Sequence, residues 1–201
     1  DAETRRDWTR AASAYTGAAW ASWGGGQLQK ALSHSNKAVE SAVKANDLEL
    51  QVRAIGWLAY VLTRLGQHDQ ARKWIETAIE TTRKMPAGVS REGLEGMSYM
   101  RLGLHFLEIG AFREATENLA YSLRLQESRL DFFAKPGFRN AIPNTAHALV
   151  LSVNHLGRAY QQLGQFQQGI GVYEKGIAVI RRYQVTTQVE GNLYQGLGRL
   201  Y

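Results

Sequence analysis

The chain has 201 residues, of which 44% are hydrophobic, so it can bury a substantial core as one domain or one array of repeats. It contains no cysteine, which excludes disulfides, thiolate metal sites and a cysteine nucleophile and is typical of a reducing compartment. The formal net charge of +6 is spread along the sequence, which favours acidic partners, and no basic arm or basic helix indicates direct nucleic-acid binding. No apolar run approaches the ~20 residues of a membrane-spanning helix.

The chain is predicted to be almost entirely helical, because it has only three prolines and no strand patterns. The first predicted helix runs over residues 1–23, and Gly24, Gly25 and Gly26 form the turn after it. A nucleotide-binding loop is the alternative reading of these glycines. That reading is disfavoured because the Lys-Ser/Thr pair and the preceding strand of a phosphate loop are both absent. A second helix is predicted over residues 28–45.

Residues 52–84 predict two helices back to back. In the first, Ile55, Leu58 and Leu62 recur at helical spacing. Gly66 ends this helix, because glycine adopts the left-handed conformation of a helix end at little cost. The second helix repeats the same apolar periodicity, so the pair is an amphipathic hairpin that needs neighbours to complete its core.

Two further helix pairs are predicted, over residues 92–129 and 146–183, and a last helix begins near Val189. Residues 85–89 interrupt the helical pattern before the third pair, and Ser90 is predicted to cap the helix that follows. The sequence therefore predicts an alternation of helices and short turns along its whole length.

The largest predicted irregularity is an inserted loop over residues 131–145, which holds two of the three prolines and three phenylalanines. The favoured interpretation is a linker whose Phe132, Phe133 and Phe138 close the end of a neighbouring groove. The alternative is a loop that contacts the ligand, as long loops in compact domains often do.

The glycine turns recur in phase with small residues on both sides. The four turn glycines follow one another at intervals of 40, 44 and 54 residues: Gly26, Gly66, Gly110 and Gly164. Seven positions before them stand Ala19, Ala59, Gly103 and Gly157, and five positions after them stand Ala31, Ala71, Ala115 and Gly169. Such columns predict crossings where two helix backbones approach so closely that only a small residue fits.

These columns, together with the segments Leu156-Gly157-x-x-Tyr160 and Leu197-Gly198-x-x-Tyr201, resemble the tetratricopeptide repeat. The resemblance implies an all-α fold, a right-handed α-solenoid of antiparallel helix pairs that forms one superhelical array over residues 1–201. The expected units are about 12–45, 52–85, 96–129 and 150–183, with a partial unit at 191–201. Two features depart from the family pattern: the spacing exceeds ~34 residues, and no unit has the helix-ending proline. Longer helices or longer links between units would explain the spacing, which is similar to that of arrays in bacterial signal-transduction proteins.

The resemblance also implies where a partner would lie, because the first helix of each pair lines the concave surface of such arrays. The residues predicted to face that surface are Trp20, Arg53, Tyr60, Arg64, Met97, Met100, Arg101, Leu104, Asn154, Arg158, Gln161, Asn192, Gln195 and Arg199. Their character changes from aromatic, through apolar and methionine-rich, to polar and basic. Asn, Gln and Arg are the side chains that peptide backbones and carboxylates require, although a solvated helix face is the alternative for any single one.

One known device of the family is absent from the first two units. Chaperone-docking members hold a terminal carboxylate with a Lys and Asn pair on the first helix of the first unit and an Asn on the first helix of the second unit. The corresponding positions here hold Thr16, Trp20 and the pair Gly56-Trp57. We hypothesise a similar carboxylate-binding site in the last units, formed by Asn154, Arg158 and Arg199.

No catalytic motif is present, and neither a metal nor a cofactor is predicted. His147 and His155 are eight residues apart, about 12 Å along a helix, so they cannot share one ion. We therefore predict that the chain is not an enzyme. We predict instead a protein–protein interaction scaffold that binds a peptide or protein of acidic character in its concave groove. The alternative is a ligand- or peptide-sensing regulatory domain of a larger signalling or transcription-regulating protein.

The remaining expectations concern the context of the chain. We predict a cytoplasmic location, and we predict neither direct nucleic-acid binding nor membrane association. The missing initiator Met and an end within a predicted helix indicate part of a longer protein. The half-unit at 191–201 needs a cover for its apolar face, which self-association or a continuation of the chain would supply.

Overall fold

The computed structural model describes residues 2–201, the side chain of Ala2 excepted, and over this range the chain forms nine α-helices, one 3₁₀ turn and no strand. The helices are α1 (Ala2–Gly24), α2 (Leu28–Lys44), α3 (Leu48–Arg64), α4 (His68–Arg83), α5 (Val89–Glu108), α6 (Phe112–Phe133), α7 (Ile142–Gln162), α8 (Phe166–Tyr183) and α9 (Glu190–Gly198). The 3₁₀ turn spans Arg139–Ala141. The chain divides into two compact units, of which the first ends at Arg101 and the second begins at Leu102, within α5.

The turn inside each helix pair is made by a glycine in the left-handed conformation. Gly66 has φ +75°, and its N–H donates to the carbonyl of Thr63 while the next N–H, of Gln67, donates to that of Leu62. These two bonds satisfy carbonyls that the end of α3 would otherwise leave without partners. The equivalent glycines have φ values between +70° and +79°: Gly26, Gly110 and Gly164. The predicted turns are therefore confirmed.

The core of the first unit is built around alanines at the helix crossings. Ala19, Ala31, Ala59 and Ala71 are all completely buried, so helices α1 to α4 approach one another with no side chain beyond a methyl group at these points. Larger apolar side chains of α3, such as Leu58, fill the space between the crossings. At the start of α3, the Asp47 side chain accepts a hydrogen bond from the Leu50 N–H, which caps the helix.

In the second unit, glycine replaces alanine at several crossings. A Cβ atom on Gly103 would lie 2.4 Å from Leu119 Cγ and 3.2 Å from the carbonyl oxygen of Ala115. A Cβ on Gly157 would lie 2.4 Å from Tyr173 Cζ. The two distances of 2.4 Å are shorter than real carbon–carbon contacts, so at both positions packing favours a residue without a side chain.

The structure corrects two predicted boundaries. Helix α5 begins at Val89, so Ser90 lies inside its first turn instead of capping it, and the Ser90 hydroxyl donates to Glu49 Oε2 at 2.9 Å. The irregular segment predicted at 131–145 is shorter, because its first residues complete α6 and its last residues begin α7. Only residues 134–141 lie between the two helices, and they include the 3₁₀ turn.

The longer repeat spacing has both of the expected causes. Helices α5, α6 and α7 contain 20, 22 and 21 residues, against 17 and 16 for α3 and α4. The link between α6 and α7 is also longer than the three-residue link between α2 and α3. The three phenylalanines around it pack on one another, with Phe132 5.4 Å from Phe133 and 5.0 Å from Phe138 between ring centroids. None of the described helices is long and apolar enough to cross a membrane.

Candidate partner-binding site

Six of the predicted partner-binding residues lie together around one cavity in the second unit. The cavity has a volume of about 210 Å³, and its lining consists of Asn154, Arg158, Gln161, Tyr173, Asn192, Gln195, Gly196 and Arg199. The residues at 154, 158 and 161 are spaced by four and three, so they project from one face of α7. Those at 192, 195, 196 and 199 lie on α9 or directly after it. The cavity is therefore formed where these two helices face each other.

Among the described residues, the lining of the cavity contains two cations and no carboxylate. Arg158 and Arg199 are exposed, and neither belongs to any ion pair found among residues 2–201. A guanidinium offers five N–H donors in a planar fork that matches a carboxylate or a phosphate. The surrounding Asn and Gln amides both donate and accept hydrogen bonds, as the peptide backbone requires. The site is therefore suited to an anionic group carried on a polar chain.

Tyr173 of α8 completes the cavity and was not among the predicted residues. Its side chain is 1% exposed and fits between two glycines, because a Cβ added at either Gly157 or Gly196 would lie 2.4 Å from Tyr173 Cζ. Burial raises the pKa of Tyr173, while Arg158 and Arg199 oppose that rise, so the phenol is neutral at neutral pH. The pair of glycines on facing helices is the signal in the sequence that a large side chain must fill the space between them.

A histidine beside the cavity is held in its neutral form. Burial, and secondarily the charge of Arg158, lowers the pKa of His155 from 6.5 to about 4. Within the described part of the chain, the His155 Nδ1 atom is buried without a hydrogen-bond partner. Protonation of this ring would place a second positive charge next to Arg158 in a poorly solvated position.

The depressed pKa of His155 predicts a loss of stability at mildly acidic pH. Between pH 6.5 and about 4 the unfolded chain binds a proton at this histidine and the folded chain does not, so the free energy of unfolding falls as the pH falls. Urea denaturation from pH 7 to 5 should show this fall in the wild type and a shallower one in His155→Gln. His147→Gln, at an exposed histidine, is the control. Equal slopes in wild type and His155→Gln would refute the assignment.

The predicted residues of the first unit do not form a comparable cavity. Trp20 is 59% exposed, whereas Tyr60 packs edge-on against Trp23 and Trp57 with ring centroids 5.5 and 5.8 Å away. Arg64 is exposed at the end of α3. These aromatic side chains form a partly exposed cluster on α1 and α3.

The other predicted residues of this region are more deeply placed than a groove surface requires. Met100 is only 7% exposed, so its side chain belongs to the packing, and Met97 and Leu104 are half-buried. Arg53 is held by Glu49, with 2.7 Å between Nη2 and Oε1. Arg101 is half-buried, with its guanidinium over Gly56. A binding surface that runs through both units stays a prediction.

No metal centre is formed by the described residues, which contain no group of three or more His, Cys, Asp or Glu side chains able to hold an ion.

Comparison with known proteins identifies the repeats. The sequence profile of the tetratricopeptide repeat matches residues 52–84 and 152–182, which are the second and fourth predicted units. The resemblance is therefore confirmed at these two repeats. No curated protein sequence matches the chain significantly.

Solved structures confirm the all-α solenoid fold of antiparallel helix pairs. A putative kinesin light chain from Podosopora anserina, described as having nearly identical TPR-like repeats, is 20% identical with a TM-score of 0.66, and the match covers 94% of this chain and 84% of that one. A Rap protein in complex with competence and sporulation factor is 14% identical with a TM-score of 0.73 over 96% of this chain and 54% of that one. BtubC from P. vanneervenii is 19% identical with a TM-score of 0.67, covering 87% of this chain and 65% of that one. This chain thus spans about half the length of the Rap protein.

Proposed function

We propose that this chain is a protein-interaction scaffold that binds an acidic peptide segment of a partner, with one carboxylate held in the cavity between α7, α8 and α9. The observation that carries the proposal is the pair of arginines, Arg158 and Arg199, in a polar cavity whose lining, among residues 2–201, holds no carboxylate to neutralise them. A bidentate guanidinium–carboxylate contact would supply that charge, and the amides of Asn154 and Asn192 would hold the adjoining peptide backbone.

The size of the cavity favours a peptide over a free small ligand. Its volume of about 210 Å³ lies below the ~300–1,000 Å³ of pockets that enclose drug-sized molecules. A cavity of this size holds one side chain or a chain terminus, with the rest of the partner lying outside. The segment between α6 and α7 contributes no residue to the lining, so no lid over an enclosed ligand supports the sensor interpretation.

The comparisons support the same proposal at the level of the fold. Tetratricopeptide repeats stack into extended surfaces suited to protein partners, and the similar Rap protein was crystallised with a bound factor. No catalytic role is proposed. Signalling, a cytoplasmic location and self-association through the half-unit at 191–201 remain predictions.

A peptide selection with a defined library tests the proposal. Peptides selected on the immobilised wild-type protein from a random display library should be enriched in Asp and Glu. In fluorescence anisotropy, Arg158→Glu/Arg199→Glu should weaken binding of a selected peptide by roughly 10²–10⁴-fold, because two charge-assisted contacts worth about 1.5–3 kcal/mol each are lost. The same peptide with Asp and Glu replaced by Asn and Gln should bind the wild type as weakly as the unchanged peptide binds the double variant.

The matched control changes the net charge equally away from the cavity. Arg113→Glu/Arg139→Glu reverses two exposed arginines of the same unit that do not line the cavity. This variant should bind the peptide within about threefold of the wild type, since only long-range attraction is altered. Equal losses in both double variants, or selected peptides without acidic residues, would contradict the proposal.

A further inference from the structure

We infer that Arg101, lying over Gly56, forms a separate oxyanion-binding site in the first unit. This inference goes beyond the proposed function, since it concerns the other unit and does not depend on what the cavity binds. The oxyanion is a phosphate or carboxylate group, either free or carried by a partner. Each presents a pair of oxygen atoms that can accept two parallel N–H hydrogen bonds from a guanidinium.

The guanidinium of Arg101 occupies space that a missing side chain leaves open. A Cβ atom on Gly56 of α3 would lie 2.7 Å from Arg101 Cζ and 2.8 Å from Nη1, so the guanidinium rests directly on the backbone of α3. Alanine is the better helix former at an interior position such as this one. Glycine at position 56 therefore serves to accommodate the guanidinium.

Arg101 is partly desolvated, yet it lacks a counter-ion in the described part of the chain. Burial, and then the charge of Arg53, lowers the pKa of Arg101 to about 10, so the group is still charged at neutral pH. Among residues 2–201 it belongs to none of the ion pairs, and the one hydrogen bond found for its side chain joins Nη1 to the Met97 carbonyl at 3.5 Å. Most of its five N–H donors are therefore available to a ligand.

Glu49, the carboxylate that pairs with Arg53, is already occupied. Glu49 Oε1 accepts two hydrogen bonds from Arg53, at 2.7 and 3.2 Å, and Oε2 accepts one from the Ser90 hydroxyl at 2.9 Å. Because both oxygens are engaged, Glu49 cannot neutralise Arg101 without giving up these contacts. A partly buried charge without a partner is less stable in the folded protein than a paired one, and an external anion would supply the missing partner.

The surroundings of Gly56 strengthen an interaction with an anion. On α3, Arg53 lies one turn before Gly56 and Tyr60 one turn after it, on the same face. Arg53 adds positive potential, although it is paired with Glu49. The aromatic cluster of Trp23, Trp57 and Tyr60 excludes part of the solvent, and a lower local dielectric increases the attraction between opposite charges.

Tryptophan fluorescence can report on the first unit separately from the second. All five tryptophans lie between positions 8 and 74, in the first unit, so their emission does not report on the cavity of the second unit directly. Titration of the wild type with sodium phosphate, at an ionic strength held constant with sodium chloride, should give a saturable change in emission. A parallel titration with sodium acetate separates a general oxyanion site, which responds to both salts, from a phosphate-selective one, which responds only to phosphate.

Two variants remove the site in different ways. Arg101→Met keeps the aliphatic stem and removes the charge, whereas Gly56→Ala keeps Arg101 but displaces its guanidinium. Each should raise the apparent dissociation constant for phosphate at least ~10-fold. Arg64→Met, at an exposed arginine at the end of α3, and the cavity variant Arg158→Glu/Arg199→Glu should both leave the titration unchanged.

Thermal unfolding supplies the second measurement. Without phosphate, Arg101→Met should have a melting temperature equal to or above that of the wild type, because an unneutralised charge has been removed. Phosphate should raise the melting temperature of the wild type, and the gain should be smaller in Arg101→Met. The same phosphate response in wild type and Arg101→Met, or a less stable Arg101→Met without phosphate, would overturn the inference.

Discussion

Replacing Tyr173 with alanine is expected to lower the free energy of unfolding by about 3–5 kcal/mol, the usual cost of truncating a large buried aromatic residue. The ring is 1% exposed and fills the space between Gly157 and Gly196, neither of which has a side chain that could close the resulting void. For a protein of this size, the loss corresponds to a fall in melting temperature of roughly 6–20 °C. Urea denaturation followed by circular dichroism measures it.

Tyr194→Ala is the matched control for this variant. Tyr194 lies on α9, is 43% exposed, and makes a long contact of 3.3 Å between its hydroxyl and Arg181 Nη2. Its truncation should cost less than about 1 kcal/mol, as substitutions at exposed sites generally do. Similar losses for Tyr173→Ala and Tyr194→Ala would show that Tyr173 is not the packing element between α7 and α9. The Tyr173 variant should also bind the selected acidic peptide more weakly, since the cavity loses one wall.

The second large effect is expected from overpacking the first unit with Ala71→Trp. Ala71 of α4 is completely buried in the cluster that contains Ile55 and Leu58 of α3. An indole ring cannot enter this crossing unless the helices separate, and such overpacking costs at least ~1–3 kcal/mol. That range comes from the insertion of extra methylene groups into packed cores, and a tryptophan side chain is far larger. Partial unfolding of α3 and α4 is therefore the expected outcome.

Lys73→Trp tests whether position or residue type causes the loss. Lys73 is two residues away on the same helix and exposed, so the same indole there should change the free energy of unfolding by no more than about 0.5 kcal/mol. Chemical denaturation and far-ultraviolet circular dichroism of both variants provide the comparison. An Ala71→Trp protein as stable and as helical as Lys73→Trp would refute the close helix crossing.

The predicted helices came close to the observed ones because their signals are local. The end of α3 at Arg64 follows from Gly66, whose left-handed conformation is available without strain. The beginning of α5 was less predictable, because Ser90 could either cap a helix or pair with a distant group. Its hydroxyl contacts Glu49, 41 residues earlier in the chain, and no local pattern indicates such a contact.

The cavity was predictable only in part. Asn154, Arg158 and Gln161 share one face of α7, and helical periodicity is sufficient to group them. Tyr173 could not be grouped with them in this way, because it lies on the second helix of the pair and reaches the cavity between two glycines. Its inclusion depends on the distance between α7 and α9, which periodicity does not determine.

The sequence by itself determined the order of the helices and the glycine turns inside each pair, because periodicity and glycine conformation act over a few residues. The tertiary structure alone decided that six polar side chains surround one cavity and that the guanidinium of Arg101 lies on Gly56. These facts are distances between side chains of different helices. They depend on how closely the helix backbones approach at crossings such as Gly157, where a single methyl group would change the geometry.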